Sequence, residues 1–190
     1  MKRLVILLTF AVCLPLAATA QQSAAQPAAA APAQTEANPV SSAVRSSLER
    51  NSKNIQAAVE EMPADKFGYK PTPEQITFGH LVVHMTMSNF HLCSTISGMG
   101  MPKMDELKET DSKEKLAGML KSSFDFCTEA LAKVDDSKLG EVVFTRGSMS
   151  FTRAGAMIAL TNDFADHYGG AAMYLRLNGL LPPTAQPHKD

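Results

Sequence analysis

The chain has 190 residues, with 18 basic and 19 acidic side chains and a formal net charge of -1. This length suits one domain or two. There is no Trp and no cluster of basic residues, so composition and charge argue against direct nucleic-acid binding, which requires concentrated positive charge.

The first 20 residues have the composition of a secretory signal peptide. A basic start, Met1-Lys2-Arg3, precedes an apolar run from Leu4 to Leu16, and Ala18-Thr19-Ala20 supplies the small residues that a signal peptidase recognises. As an uncleaved helix the run would cover only about 20 Å of a hydrocarbon core roughly 30 Å thick. We therefore expect residues 1–20 to be removed from an exported protein, periplasmic or extracellular, that is not attached to a membrane after cleavage.

Residues 21–40 are rich in Gln, Ala, Pro, Ser and Thr. Such a segment cannot bury enough apolar surface to offset the entropy cost of ordering. The sequence predicts a disordered linker at 21–40, a folded domain at 41–184 and a disordered tail at 185–190.

Apolar residues at helical spacing predict the first helix from Ser41 to near Met62, where Pro63 follows. After a proline-rich loop over 65–73, three more helices are expected, approximately at 74–96, 112–134 and 150–178, with Gly179 as the stop signal. The fragment Val142-Val143-Phe144-Thr145 resembles a strand but is too short to make a sheet. These elements predict an all-α protein, a four-helix bundle.

Loss of the signal peptide would also remove Cys13, Lys2 and Arg3, leaving 16 basic and 19 acidic residues. Two cysteines then remain, Cys93 and Cys127, in a compartment that permits disulfides. At this stage a disulfide and two separately buried thiols are equally good interpretations.

Two polar stripes stand out on the predicted helices. His80, His84, Met87 and His91 lie at offsets of zero, four, seven and eleven, so they share one face of the second helix. On the last helix, Asp163 and His167 are one turn apart and also share a face. The alternative interpretations are hydrogen-bonded core histidines and an Asp-His pair whose members only satisfy each other.

Two imidazoles and one carboxylate suit a divalent metal such as Zn, Ni, Mn or Fe, and leave positions for water and substrate. We therefore take His84, Asp163 and His167 as candidate metal ligands. His80 and His91 are secondary candidates for substrate contact or proton transfer.

Two motifs resemble the DinB family over roughly residues 41–183. The first is Thr77-Phe78-Gly79-His80-Leu81-Val82-Val83-His84-Met85 with Ser88-Asn89-Phe90, and the second is His167-Tyr168-Gly169 with Tyr174-Leu175-Arg176-Leu177-Asn178-Gly179 and Pro182-Pro183. The resemblance implies a bundle with up-down-down-up topology, shared with bacillithiol- and mycothiol-dependent transferases, in which three histidines hold a divalent metal.

Under this resemblance, His84 and His167 match two of the family's ligands. The third position, four residues before His167, is usually histidine in the family and is Asp163 here. A carboxylate has a shorter reach and a negative charge, so metal affinity and metal choice should differ.

The implied topology also bears on the cysteines. If the second and third helices run parallel, Cys93 and Cys127 come to similar heights, at 19 and 15 residues past the expected helix starts. The resemblance therefore favours a disulfide between them.

Together these features predict an exported DinB-like protein that performs metal-dependent hydrolysis or thiol transfer on an unknown small molecule. The alternative is a non-catalytic extracytoplasmic binding module that has lost the metal, and homodimerisation is left open.

Overall fold

The computed structural model describes residues 35–187. The predicted signal peptide, most of the predicted linker and the last part of the predicted tail lie outside the described residues. Within them the chain forms four long helices and one hairpin, which confirms the predicted helical bundle. The elements are α1 (Pro39–Glu61), α2 (Phe78–Ser97), α3 (Lys113–Ala132), β1 (Val142–Arg146), β2 (Met149–Thr152) and α4 (Arg153–Leu177).

Helices α2 and α3 run parallel. Near their middle, Asn89 Nδ2 donates to Ser123 Oγ at 2.9 Å. One turn further along both helices, Cys93 and Cys127 form a disulfide with a Cα–Cα distance of 5.2 Å. Contacts that advance in the same direction along both helices require a parallel pair.

Helices α2 and α4 run antiparallel, because the start of one meets the end of the other. Tyr174 near the end of α4 donates to the carbonyl of Ile76, just before α2. Arg153 at the start of α4 donates to the carbonyl of Ile96 near the end of α2.

Helix α1 is likewise antiparallel to α3. Arg45 near the start of α1 donates to Val134 O, just past the end of α3, at 3.1 Å. Lys113, the first residue of α3, donates to the carbonyl of Glu60 near the end of α1. The directions of the four helices give the up-down-down-up topology that the family resemblance implies.

The core lies between the four helices and uses the positions that periodicity predicts. The apolar stripe of α1 is almost fully buried, and the largest side chains buried with it come from all four helices. These core residues include Val44, Leu48, Ile55, Val59, Phe78, Met85, Leu116, Leu120, Met157, Leu160 and Phe164.

The hairpin corrects the prediction that residues 142–145 could make no sheet. Strand β1 pairs antiparallel with β2, with Phe144 opposite Phe151 and Arg146 opposite Met149. The turn contains Gly147 at φ 60, a conformation that glycine adopts without steric cost. The pairing partner is β2, and three of its residues, 150–152, fall in the range predicted for the last helix.

Two helix starts also differ from prediction, each because a threonine caps the helix. Thr77 Oγ1 accepts from His80 N at 2.9 Å, so α2 begins at Phe78 instead of residue 74. Thr152 Oγ1 accepts from Gly155 N at 3.2 Å, so α4 begins at Arg153 instead of residue 150.

Across residues 35–187, none of the helices combines the length and the apolar character that crossing a bilayer requires.

The disulfide should contribute substantially to stability, because it closes a loop between residues 34 positions apart. Replacing both Cys93 and Cys127 by Ala is expected to lower the free energy of unfolding by about 2–4 kcal/mol. Urea unfolding with and without dithiothreitol measures this. The wild type should be destabilised by the reductant, whereas equal sensitivity of the double variant would contradict the assignment.

The start of α1 is capped from a distant part of the chain. Asp136 accepts from the backbone N–H groups of Val40 and Ser41, both at 2.8 Å, and its own N–H donates to Asn38 Oδ1 at 3.1 Å. Desolvation raises the pKa of Asp136, but the N–H groups of Ser41 and Val40 together hold it below its ordinary value.

Because the folded-state pKa of Asp136 is lowered, its contribution to stability is present above the unfolded pKa of about 4 and is lost as the pH falls further. Asp136→Asn should therefore lower the melting temperature at pH 7 and lower it much less at pH 3. Asp166→Asn, on an exposed carboxylate of α4, is the matched control and should change neither value. A pH-independent effect of Asp136→Asn would contradict the capping role.

Candidate metal centre

Three polar side chains from α2 and α4 come together at one level of the bundle. The rings of His84 and His167 are 4.9 Å apart between centroids, with their planes at 79°. One ligand atom from each of His84, Asp163 and His167 lies within 4.8 Å of the other two. One metal ion could reach all three donors after small side-chain adjustments.

The antiparallel packing of α2 and α4 produces this convergence. One turn past His167, Gly170 lies against Leu81 on the facing helix, and a Cβ there would sit 3.7 Å from Leu81 Cδ2. Absence of a side chain at Gly170 therefore leaves room between the two helices close to the triad.

Burial differs across the triad. His167 is buried, Asp163 is half-buried and His84 is exposed. The surface between α2 and α4, here called the α2–α4 groove, is therefore open to solvent at His84, and a small molecule can approach the triad from that side.

Asp163 provides a test of whether a cation fits. Its Oδ2 lies 3.1 Å from His167 Nδ1, but the geometry of this contact is not that of a hydrogen bond. The buried oxygen therefore has no hydrogen-bond partner. A buried acceptor left without a donor costs about 1–3 kcal/mol. A divalent cation at the triad would satisfy this oxygen, so the donor set fits a metal.

His80 lies outside the triad, one turn before His84. Its Nδ1 is 2.9 Å from Glu109 Oε2, and the same oxygen accepts from Thr77 Oγ1 at 3.1 Å. Glu109 therefore orients the His80 ring at the edge of the groove. Glu109 could not be identified from sequence patterns, because it lies 29 residues from His80 in an irregular segment.

His91 also lies outside the triad, two turns beyond His84. Its ring packs edge-on against Phe144 of the hairpin, with centroids 5.8 Å apart and planes at 89°. The hairpin therefore packs against the α2–α4 groove, a contact that local sequence patterns do not predict.

Tyr174 fixes the opposite end of this groove. Its hydroxyl donates to Ile76 O at 2.6 Å, and burial, followed by the neighbouring Tyr69, raises its pKa. The side chain is buried and holds the start of α2 against α4, so its role is structural.

Comparison with known proteins identifies the family. Residues 47–169 match the DinB superfamily, and this range is more than half of the 190-residue chain. The chain belongs to the DinB superfamily. No curated protein sequence matches it.

Solved structures with the same fold share little sequence with the chain. A DinB-like protein from Bacillus subtilis has 18% identity and a TM-score of 0.62, covering 76% of this chain and 99% of that chain. A DinB-like protein from Bacillus cereus has 17% identity and a TM-score of 0.62, covering 75% and 95%. A conserved protein from Enterococcus faecalis has 16% identity and a TM-score of 0.56, covering 73% and 96%. These similarities show the fold alone.

The segment that carries Glu109 packs tightly on the first turn of α2. A Cβ added at Gly79 would collide with the carbonyl oxygen of Glu109 and would lie 3.4 Å from Phe67 O. Glycine at this position therefore allows Glu109 to reach His80.

We expect Gly79→Ala to displace the Glu109 segment and to lower the free energy of unfolding by about 1–3 kcal/mol, the usual cost of overpacking. Gly118→Ala is the matched control, because Gly118 lies in α3 with open space around its Cα. That substitution should instead stabilise the helix by about 0.5–1 kcal/mol. Urea unfolding curves distinguish the two, and an unchanged midpoint for Gly79→Ala would contradict the close approach.

Proposed function

We propose that the protein is an exported metal-dependent hydrolase of a small molecule, with its metal held by His84, Asp163 and His167. The observation that carries this proposal is the buried Asp163 Oδ2, which has no hydrogen-bond partner and lies within a three-residue cluster of ligand atoms no more than 4.8 Å apart. Such a carboxylate oxygen is costly unless a cation binds it.

A divalent cation bound there would supply Lewis-acid chemistry, polarising a carbonyl or phosphoryl oxygen and lowering the pKa of water. The protein's own contribution comes from the three ligand residues and their different burial. Buried His167 is held in place by the core, Asp163 adds the negative charge that retains a cation, and exposed His84 leaves the site open for substrate.

His80 would serve as a proton acceptor or donor beside this site. Its ring is one helical turn, about 6 Å, from His84 along α2, and its Nδ1 is held by Glu109 at 2.9 Å. A carboxylate paired with one ring nitrogen holds the imidazole in one orientation, with its other nitrogen available for proton transfer.

Thiol transfer is the second reaction class that the family resemblance suggests. We favour hydrolysis because the predicted signal peptide would place the protein outside the cytosol, where low-molecular-weight thiols are scarce. Export itself is part of this proposal.

A non-catalytic binding module is the alternative function. The observation in its favour is the 3.1 Å approach of Asp163 Oδ2 to His167 Nδ1, because a small side-chain rotation would turn this contact into a hydrogen bond that needs no metal.

Metal analysis of protein purified without a histidine tag tests the proposal. About one equivalent of Zn, Ni, Mn or Fe per chain is expected, falling by at least tenfold in His84→Ala and in His167→Ala because each loses one donor. His91→Ala is the matched control on the same face of α2, and it should retain the metal.

Asp163→Asn separates the two functions further. If the carboxylate is a metal ligand, Asp163→Asn should weaken metal binding without lowering the unfolding midpoint of metal-free protein, because the buried oxygen has no hydrogen-bond donor to lose. If Asp163 instead only pairs with His167, the midpoint should fall. Wild-type protein that binds no added Zn, Ni, Mn or Fe would overturn the hydrolase and favour the binding module.

A further inference from the structure

We infer that the small cavity between the hairpin and the α2–α4 groove binds an apolar group, aromatic or branched aliphatic, of the substrate whose polar group lies at the metal triad. This inference rests on the proposed function and names the substrate class for that site. The cavity, here called the hairpin pocket, has a volume of about 130 Å³ and is lined by His91, Leu92, Thr95, Phe144, Phe151, Ala156 and Ala159.

The lining of the hairpin pocket is chemically suited to an apolar group. Phe144 and Phe151 face each other across the hairpin with centroids 6.0 Å apart, and His91 presents its edge to Phe144. Ala156 and Ala159 leave the space that larger side chains on α4 would fill. An apolar cavity of about 150 Å³ in another protein is large enough for benzene, so this pocket matches a single ring or a branched chain.

The hairpin pocket and the triad both lie where α2 packs against α4. His91 follows His84 by seven residues on α2, about 10 Å along the helix axis. On antiparallel α4, Ala159 precedes Asp163 by four residues, about 6 Å in the same direction. One elongated molecule could therefore reach both ends.

The two ends of the groove differ in polarity. At the triad lie His84, Asp163 and the His80–Glu109 pair, which are polar or charged. At the hairpin end, aromatic rings and alanines dominate. This gradient fits a substrate with a hydrolysable polar head and an apolar tail, such as an amide or ester of a hydrophobic acid.

Fluorobenzene, observed by fluorine NMR, tests the hairpin pocket without any metal. It should bind wild-type protein equally well with and without zinc. In Ala159→Leu the added side chain should fill the pocket and reduce binding at least tenfold. Ala165→Leu, the same change at an exposed position of α4, is the matched control and should bind like wild type.

A pair of hydroxamates tests the connection to the triad. On zinc-loaded wild type, phenylhexanohydroxamate should bind at least about tenfold tighter than acetohydroxamate, because its ring can be buried in the hairpin pocket. Ala159→Leu and Phe144→Ala should each remove most of this gain while leaving zinc affinity and acetohydroxamate binding within about twofold of wild type. Phe144→Ala alters only the hairpin, so it remains available as the test variant if Ala159→Leu does not fold.

The outcomes separate the inference from the function on which it rests. Absence of zinc binding overturns the proposed hydrolase, whereas fluorobenzene still reports on the pocket. If fluorobenzene does not bind, or binds Ala159→Leu as well as wild type, the hairpin pocket is overturned. Equal affinity of zinc-loaded wild type for the two hydroxamates overturns its role as a substrate pocket.

Discussion

The antiparallel register between α2 and α4 is the constraint on which the candidate site depends. Tyr174 binds the carbonyl of Ile76 at one end, and Arg153 binds the carbonyl of Ile96 at the other. Between these two fixed points, every residue of α2 has a defined partner level on α4. A shift of either helix by one turn, about 5 Å, would move the imidazole of His84 away from His167 and Asp163, and the three donors could no longer bind one ion.

Much of this arrangement can be read from the sequence because it is periodic. The apolar spacing of Val44, Leu48, Ile55 and Val59 identified the core face of α1, and all four are buried. The four-residue spacing of Asp163 and His167 placed both side chains on one face of α4. That His84 would meet this pair could be predicted only with the help of the family resemblance, because the helical rise alone does not say which way two helices run.

Features that depend on long-range contacts could not be read in this way. Phe144 and Phe151 pair across a turn, but residues 149–152 continue into a helix and carry no separate strand signal. Glu109 reaches His80 from an irregular segment, and Asp136 caps a helix that begins 97 residues earlier in the sequence. A local pattern does not encode such partners, because the chain path between them decides whether they meet.

The two ends of the bundle are held by different kinds of interaction. The covalent link between Cys93 and Cys127 and the clamp of Asp136 on Val40 lie at the end where α2 and α3 finish. The opposite end is held by noncovalent contacts, such as those of Tyr174 with Ile76 and of Glu109 with Thr77 and His80. Sub-global opening should therefore start there, so backbone amides at the beginning of α2 should exchange with deuterium sooner than those around the crosslink.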